Sequence, residues 1–422
     1  MRILTLSLLM VAFCAIDVAA QSYKFTYHNP VDLYEGLDQN FYSESSFGVK
    51  NPIYSAFPVS ENFRFNRVDG FFIGVQEEKM NWSRGDFLGI EDIDVHGMVG
   101  YSSAQNNFQY TIGAEKSIGD DRKWLLLGGE LYNTTATEDY WRTGSYENSV
   151  SMLSAGFDFY DYHQSDGFGF YGILQPVKSI ELGASYNLSQ FSTLEARTDF
   201  SIFSRYSTFR PNPAIDFTTD MISQEYLTLG VTLNPNGISD RSTLSTTISA
   251  KAELSDLNGF SSNDFYYNLY QVEAKSYLRL DRSTLVKWRL MAGGITGNAP
   301  QFKNFALGGI GSMRALGYKA MQGNQMLLSN IELQFGQNSS KNGWPDLSST
   351  TISFFLDSGT ANFNNQLYSN SNPMNDFDIT THDLTHNVGV GLGLGMMRFE
   401  IAKPVAGAEG RSVFWIRLNP TF

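Results

Sequence analysis

The chain has 422 residues and a formal charge of −13; it is 14% aromatic and 17% charged, with 38 Gly, 32 Phe, 22 Tyr and one Cys. The acidic excess offers no basic footprint for a phosphate backbone and argues against a nucleic-acid partner. A lone cysteine can build neither a disulfide nor a cysteine zinc site, and past the N-terminus no run approaches the roughly 18 to 20 apolar residues of a membrane-spanning helix. A charged fraction below the usual level leaves a Gly- and aromatic-rich, strand-forming chain: a large soluble β protein or a membrane β-barrel.

Residues 1–20 read as a signal peptide. Arg2 supplies the positive start, 3–16 the apolar core, and Val18-Ala19-Ala20 the small residues before a cleavage site at Gln21. Phe13 is too bulky for a lipobox, so Cys14 reads as a discarded signal residue and the exported chain carries no cysteine. Residues 21–61, with Pro30, Pro52 and Pro58, are too short for a separate domain. They read as a periplasmic lead or a plug, and 62–422 as the barrel.

From about residue 90 the dominant signal is a period of two. In 243–254, Leu244, Thr246, Ile248, Ala250 and Ala252 alternate with Ser245, Thr247, Ser249, Lys251 and Glu253. In 266–280, Val272, Ala274 and Leu278 alternate with Glu273, Lys275, Tyr277 and Arg279; in 327–335, Ile331, Leu333 and Phe335 alternate with Asn330, Glu332 and Gln334. Such segments have one apolar and one polar face. They run longer than the roughly 5–6 residues of a sandwich strand, nearer the 9–11 of a tilted transmembrane strand. Short turns at 119–122, 176–178 and 281–283 alternate with long polar connections near 134–164, 191–224, 298–325 and 360–384. That asymmetry is the short-periplasmic, long-extracellular rule of outer-membrane barrels.

Strands are predicted near 92–102, 106–118, 122–133, 165–176, 179–190, 225–234, 242–254, 266–280, 284–297, 326–336, 350–358, 386–395, 397–405 and 412–422. A single-chain bacterial barrel closes on an even number, and 41–84 has room for two more, giving about sixteen. The predicted fold class is therefore all-β: a transmembrane antiparallel β-barrel. In the last strand Phe414, Ile416, Leu418 and Phe422 face one way and Trp415, Arg417 and Asn419 the other. Ending on Phe422, it resembles the signal read by the bacterial barrel-assembly machinery.

Catalytic chemistry is sparse. Of the five histidines only His382 and His386 have metal-like spacing, in a polar loop with no helix to hold both rings on one face. No Gly-x-Ser-x-Gly elbow occurs, and the lumen carboxylates Glu253, Glu273, Glu332 and Asp357 read as a wetted lining paired with Lys251, Lys275, Arg279 and Arg417. No catalytic residue, metal or cofactor is assigned. Gly389, Gly391, Gly393 and Gly395 alternate with Val390, Leu392, Leu394 and Met396, but no helix follows, which disfavours a dinucleotide fingerprint. On a strand the four glycines form a bare stripe toward the lumen, where close backbone approach is expected. The stripe is read as room for an infolded loop.

Two segments stand out: 307–318, Leu-Gly-Gly-Ile-Gly-Ser-Met-Arg-Ala-Leu-Gly-Tyr, and 354–359, Phe-Phe-Leu-Asp-Ser-Gly. Together they resemble the superfamily of BamA, TamA, two-partner-secretion transporters and bacterial surface antigens. There a long extracellular loop with a Gly-Gly…Arg-Gly-aromatic motif folds into the lumen and its Arg meets the Asp of a Phe-x-Asp-x-Gly strand. The resemblance implies that Gly308, Gly309, Arg314, Gly317 and Tyr318 are the loop motif, and Phe355, Asp357 and Gly359 the strand motif. Ala315 and Leu316 make this loop tip two residues longer than the family pattern. The POTRA-type domains that usually precede such barrels are not recognisable, so a stand-alone barrel is expected. From spacing alone Arg314 could equally be an exposed loop arginine and Asp357 a solvated lumen residue. An Arg–carboxylate contact in a partly dehydrated lumen would instead pin the loop.

The resemblance implies a non-enzymatic protein of the bacterial outer membrane that acts in translocation or membrane assembly of an unknown protein or lipid client. Outer-membrane lipid and the barrel-assembly machinery are its expected partners. A passive or gated pore and a structural surface antigen remain alternatives.

Overall fold

The computed structural model describes residues 63–81, 93–120, 123–203, 209–234, 243–257, 260, 263–281, 283–336, 350–368, 376–394, 397–406 and 410–418. The segments read as signal peptide (1–20) and lead (21–61), and Gly395 and Phe422, lie outside these residues.

The strands are β1 (Phe63–Asn66), β2 (Gly70–Asn81), β3 (Ile93–Ser102), β4 (Asn107–Asp120), β5 (Lys123–Ala136), β6 (His163–Val177), β7 (Ile180–Thr193), β8 (Met221–Leu233) and β9 (Leu244–Leu254). They continue with β10 (Tyr267–Arg279), β11 (Thr284–Gly297), β12 (Phe305–Leu307), β13 (Met321–Gly323), β14 (Gln325–Gly336), β15 (Thr350–Asn362), β16 (Thr385–Leu394), β17 (Met397–Ala406) and β18 (Val413–Leu418). All but β12 and β13 form one 16-stranded sheet in which each strand pairs with its sequence neighbours. The fourteen segments predicted by alternation are strands, and β1 and β2 supply the two expected within 41–84. Helix α1 (Ser145–Ala155) was not foreseen; it lies inside the 134–164 stretch read as loop.

The alternation becomes two faces with opposite solvents. In β15, Ile352, Phe354 and Leu356 are 49%, 51% and 38% exposed, whereas Ser353, Phe355 and Asp357 are 3%, 4% and 0% exposed. The same outward apolar face recurs through Ile112, Leu131, Phe170, Val272, Trp288 and Val390. A contiguous apolar surface of that extent far exceeds what a water-soluble protein exposes. Hydrocarbon is the medium that satisfies it, while each strand lying between β1 and β18 in the sheet is paired on both sides.

Antiparallel order puts the β5-to-β6, β7-to-β8, β9-to-β10, β11-to-β14 and β15-to-β16 connections at one end and the shorter β4-to-β5, β6-to-β7 and β10-to-β11 connections at the other. The long 298–324 connection folds as a small hairpin, β12 against β13, with Phe305 opposite Gly323 and Leu307 opposite Met321.

The lumen lining is apolar at one end and charged further along. Near the long-loop end, Tyr267, Leu269, Met291, Ile295, Met326 and Leu328 pack with Phe305, Leu307 and Met313 of the infolded loop. Where the loop enters, lumen-facing strand positions are apolar because the loop brings its own apolar side chains to cover. Further along the strands the lining reverts to charge: Glu273 meets Lys275 at 3.4 Å and Arg289 at 2.8 Å.

Candidate functional site

The site grows from the geometry of the 298–324 loop. Gly308, Gly309 and Gly311 have φ of +121°, +84° and +72°, which fold the chain back sharply behind β12. A Cβ at Gly308 would stand 2.3 Å from the Gly317 carbonyl oxygen, and one at Gly311 1.7 Å from that of Arg142. These glycines let the loop close on itself and on the 137–162 loop. Gly317 has open space around it, so sterics do not account for glycine there. The tip is held from the side by Arg142, whose guanidinium donates to the carbonyls of Gly308 (3.3 Å) and Ala306 and to Ser312 Oγ (3.3 Å).

The turn delivers Arg314 into the lumen wall. Its Nε and Nη2 donate to Asp357 Oδ2 (2.9 Å) and Oδ1 (2.7 Å), its backbone N–H to Oδ2 (3.2 Å), and its Nη1 to Glu400 Oε1 (3.1 Å). Glu332 Oε2 stands 3.7 Å away. The guanidinium lies 3.4 Å over the Phe355 ring, and Arg314 is 1% exposed. A second cation, Arg398, grips Glu332 through two hydrogen bonds of 2.8 and 2.7 Å, and its Nε lies 2.8 Å from Glu400. Asn330 donates to Asp357 Oδ1 (2.8 Å) and to the Ser312 carbonyl (2.9 Å), joining strand to loop a second time. Trp415 Nε1 donates to the Arg314 carbonyl at 2.8 Å. The loop tip is thus tied to β14, β15, β17 and β18 together. Among the described residues the centre holds three carboxylates and two guanidiniums, arranged so that each charge faces an opposite one.

The remaining motif residues fall around this centre. Tyr318 donates to Asp139 Oδ2 at 3.2 Å and carries Arg210 4.1 Å over its ring. Beside it Lys319 reaches Asp139 (2.7 Å) and Asp161 (2.8 Å). Burial pushes the Asp161 carboxyl up, but Lys319, Arg210 and Arg67 outweigh it and hold the group well below its ordinary value. Gly359 sits where a Cβ would press the Leu327 carbonyl at 2.9 Å.

The glycine stripe faces the lumen, since Val388, Val390 and Leu392 are 42%, 46% and 42% exposed on the other side. Its bare space is not taken by the loop backbone, as the sequence had suggested. A Cβ at Gly389 would stand 2.1 Å from the Phe355 ring, at Gly391 2.5 Å from Ser353 Oγ, and at Gly393 2.3 Å from Thr351 Oγ1. The stripe therefore seats the side chains of β15, and Phe355, seated there, is the platform for Arg314. The lining pairs also sort differently from expectation. Glu253 lies 3.1 Å from Lys303 of the loop as well as 3.9 Å from Lys251, while Arg417 pairs with Glu147 of α1 at 2.8 Å. His386 shares a 2.8 Å hydrogen bond with Ser358, and His382 is exposed.

Sequence reasoning did not find Glu400, Arg398, Trp415 or Arg142 as partners of the lock. Arg398 and Glu400 share the lumen parity of β17, which flags them as lining residues but does not name what they face.

These features define a transmembrane β-barrel of the outer-membrane type with one long loop folded into its lumen. Its fold is that of the BamA barrel. BamA from Haemophilus ducreyi lacking POTRA domains 1–3 superposes with a TM-score of 0.52 at 15% identity, over 84% of this chain and 69% of that one. CdiB from Acinetobacter baumannii is similar at a TM-score of 0.41 and 11% identity, over 82% of this chain and 56% of that one. Comparison with sequence-family models and with curated protein sequences gives no match.

Proposed function

We propose that the chain is a non-enzymatic outer-membrane barrel that translocates or assembles a protein or lipid client, with the 298–324 loop as its moving part. The observation that carries this reading is the anchoring of the loop tip. Arg314 and its carbonyl are fastened to β15, β17 and β18, so the state of the loop is coupled to the last strands of the sheet. A static pore has no need of a buried three-carboxylate, two-guanidinium centre, because a fixed constriction requires only bulk. Charges buried together are costly unless all are matched, so such a centre is stable in one arrangement and poorly stable when partly separated. Such a centre gives the loop one sharply defined locked position, which it must leave as a unit and not by degrees. The lock also accounts for a loop of this length lying ordered in the lumen.

The test compares single-channel conductance of the intact protein, of Arg314→Ala and of a variant lacking residues 300–322 in planar bilayers. A translocation barrel switches between conductance levels, and both changes alter the switching. A passive pore alters only in size, and that result would refute the reading.

A further inference from the structure

The first hairpin of the sheet turns apolar side chains outward. Arg64 and Phe72 face the lumen, the guanidinium 3.8 Å over the ring. Phe65 and Phe71, a directly opposed pair, therefore point the other way, as does Ile73 one step along β2 on the same face. Ile73 pairs with Tyr101 of β3, and Tyr101 with Phe108 of β4, which is 69% exposed. The hydrocarbon-facing belt thus runs up to the rung next to Phe65 and Phe71.

Part of the β7-to-β8 connection covers that pair from the outer side. The Phe200 ring centre lies 6.2 Å from that of Phe65 and 6.5 Å from that of Phe71. Backbone hydrogen bonds fix the segment there. Arg197 and Thr198 N–H donate to the Arg67 carbonyl in the turn between β1 and β2 (2.9 and 3.2 Å). Ile202 and Phe203 N–H donate to the carbonyls of Leu153 and Ser154 in the last turn of α1 (2.8 and 3.0 Å). The helix is itself held beside β1 by Ser149 Oγ, which accepts the Phe65 backbone N–H at 3.2 Å. Phe200 and Phe203 nevertheless stay 50% and 72% exposed. Phe157, whose N–H donates to the Ser151 carbonyl one helical turn back, is 62% exposed. Large aromatic rings held open by rigid contacts, next to an apolar belt, mark a surface that meets an apolar medium.

We propose that Phe200 and Phe203, with Phe157 off the same helix end, form a lipid anchor: residues 197–203 lie on the outer side of the wall and sink these rings among the acyl chains of the leaflet at the long-loop end. Continuity decides the occupant. The patch begins on Phe65 and Phe71, which extend the hydrocarbon-facing belt, so a protein seated on Phe200 would have to displace lipid from the belt as well. Glu195, Arg197 and Asp199 are exposed on the same segment. Charges of both signs beside aromatic rings suit the boundary between headgroups and acyl chains. The anchor is also wired inward. Arg67, whose carbonyl holds Arg197 and Thr198, reaches Asp161 at 2.8 Å, and Asp161 takes Lys319 of the infolded loop at 2.8 Å. Lipid contact therefore steadies the loop network from outside the wall.

The test places a nitroxide on single cysteines in the full chain, with Cys14, its one native cysteine, replaced by serine. Phe203→Cys and Phe200→Cys probe the anchor, Val390→Cys marks the belt and His382→Cys an exposed loop. In vesicles of phosphatidylcholine and phosphatidylglycerol, spin relaxation is measured with oxygen, which concentrates in hydrocarbon, and with a water-soluble nickel chelate. The oxygen-to-nickel collision ratio at 203 and 200 is expected to approach that at 390 and to exceed that at 382 by about threefold or more. Phe203 buries little of its side chain against the protein, so its label leaves the fold intact and its reading is decisive. A ratio at 203 equal to that at 382 would overturn the proposal, because the patch would then face water and be open to a protein partner.

Discussion

Replacing Arg314 by alanine removes one of the two cations that face Asp357, Glu332 and Glu400. Arg398 is then the one guanidinium left in direct contact with this group of three buried carboxylates, where two stood before. Breaking a buried ion pair by deleting one partner costs about 3–5 kcal/mol, because an uncompensated charge stays behind. The upper part of that range is expected for Arg314→Ala, which also strips the Phe355 ring of its guanidinium. Asp357→Ala is the informative counterpart. It leaves two cations facing two carboxylates, and Arg314 keeps Glu400 at 3.1 Å, so the loss should be that of charged hydrogen bonds, about 1.5–3 kcal/mol. The double variant should fall short of the sum of the two by about 0.5–3 kcal/mol, the coupling of residues in direct contact. Arg314→Lys, which keeps charge but loses the fork and the stacking, should lie between wild type and alanine. Denaturant unfolding of the refolded protein in detergent, with protease access to 298–324 as a local probe, measures each value. Additive losses, or an Asp357→Ala variant more damaged than Arg314→Ala, would refute the lock as a charge-matched unit.

Two other expectations follow from the loops. Gly311→Ala places a methyl group against the Arg142 carbonyl and a side chain at φ +72°, a strain of roughly 1–2 kcal/mol before any clash is counted. The 137–162 and 298–324 loops should separate, seen as faster proteolysis of both, while Gly317→Ala in open space should leave both rates unchanged. Asp161 has a carboxyl held below its ordinary value of 3.8, so its contribution is fully present above that pH and is lost as pH falls through the lower folded value. Loop protection should therefore be flat from neutral pH down to about 4.5 and decline only in more acidic solution. Loosening that begins near pH 6 would show that the Lys319–Asp161–Arg210 contacts do not hold the loops together.

The sequence by itself determined the barrel. Period-two alternation is a local property, because adjacent side chains of a strand must point to opposite faces whatever the strand pairs with. The parity of Ile352, Phe354 and Leu356 against Ser353, Phe355 and Asp357 was therefore legible, and so was the end of the sheet to which each long connection belongs. The clustering of glycines before Arg314 likewise marked a tight fold-back, since φ above zero is tolerated by few other residues.

Only the tertiary structure decided who faces whom across the lumen. Glu400 is 86 residues from Arg314 and Trp415 is 101 away, separations over which no periodicity in the chain carries information. The helix at Ser145–Ala155 was hidden for a related reason. Its sequence, Ser-Tyr-Glu-Asn-Ser-Val-Ser-Met-Leu-Ser-Ala, is rich in serine and weakly amphipathic, so local propensity favours a loop. Helix forms there because Glu147 and Ser149 find partners on strands at opposite ends of the chain, and those contacts exist only once the sheet has curled far enough to bring its ends together.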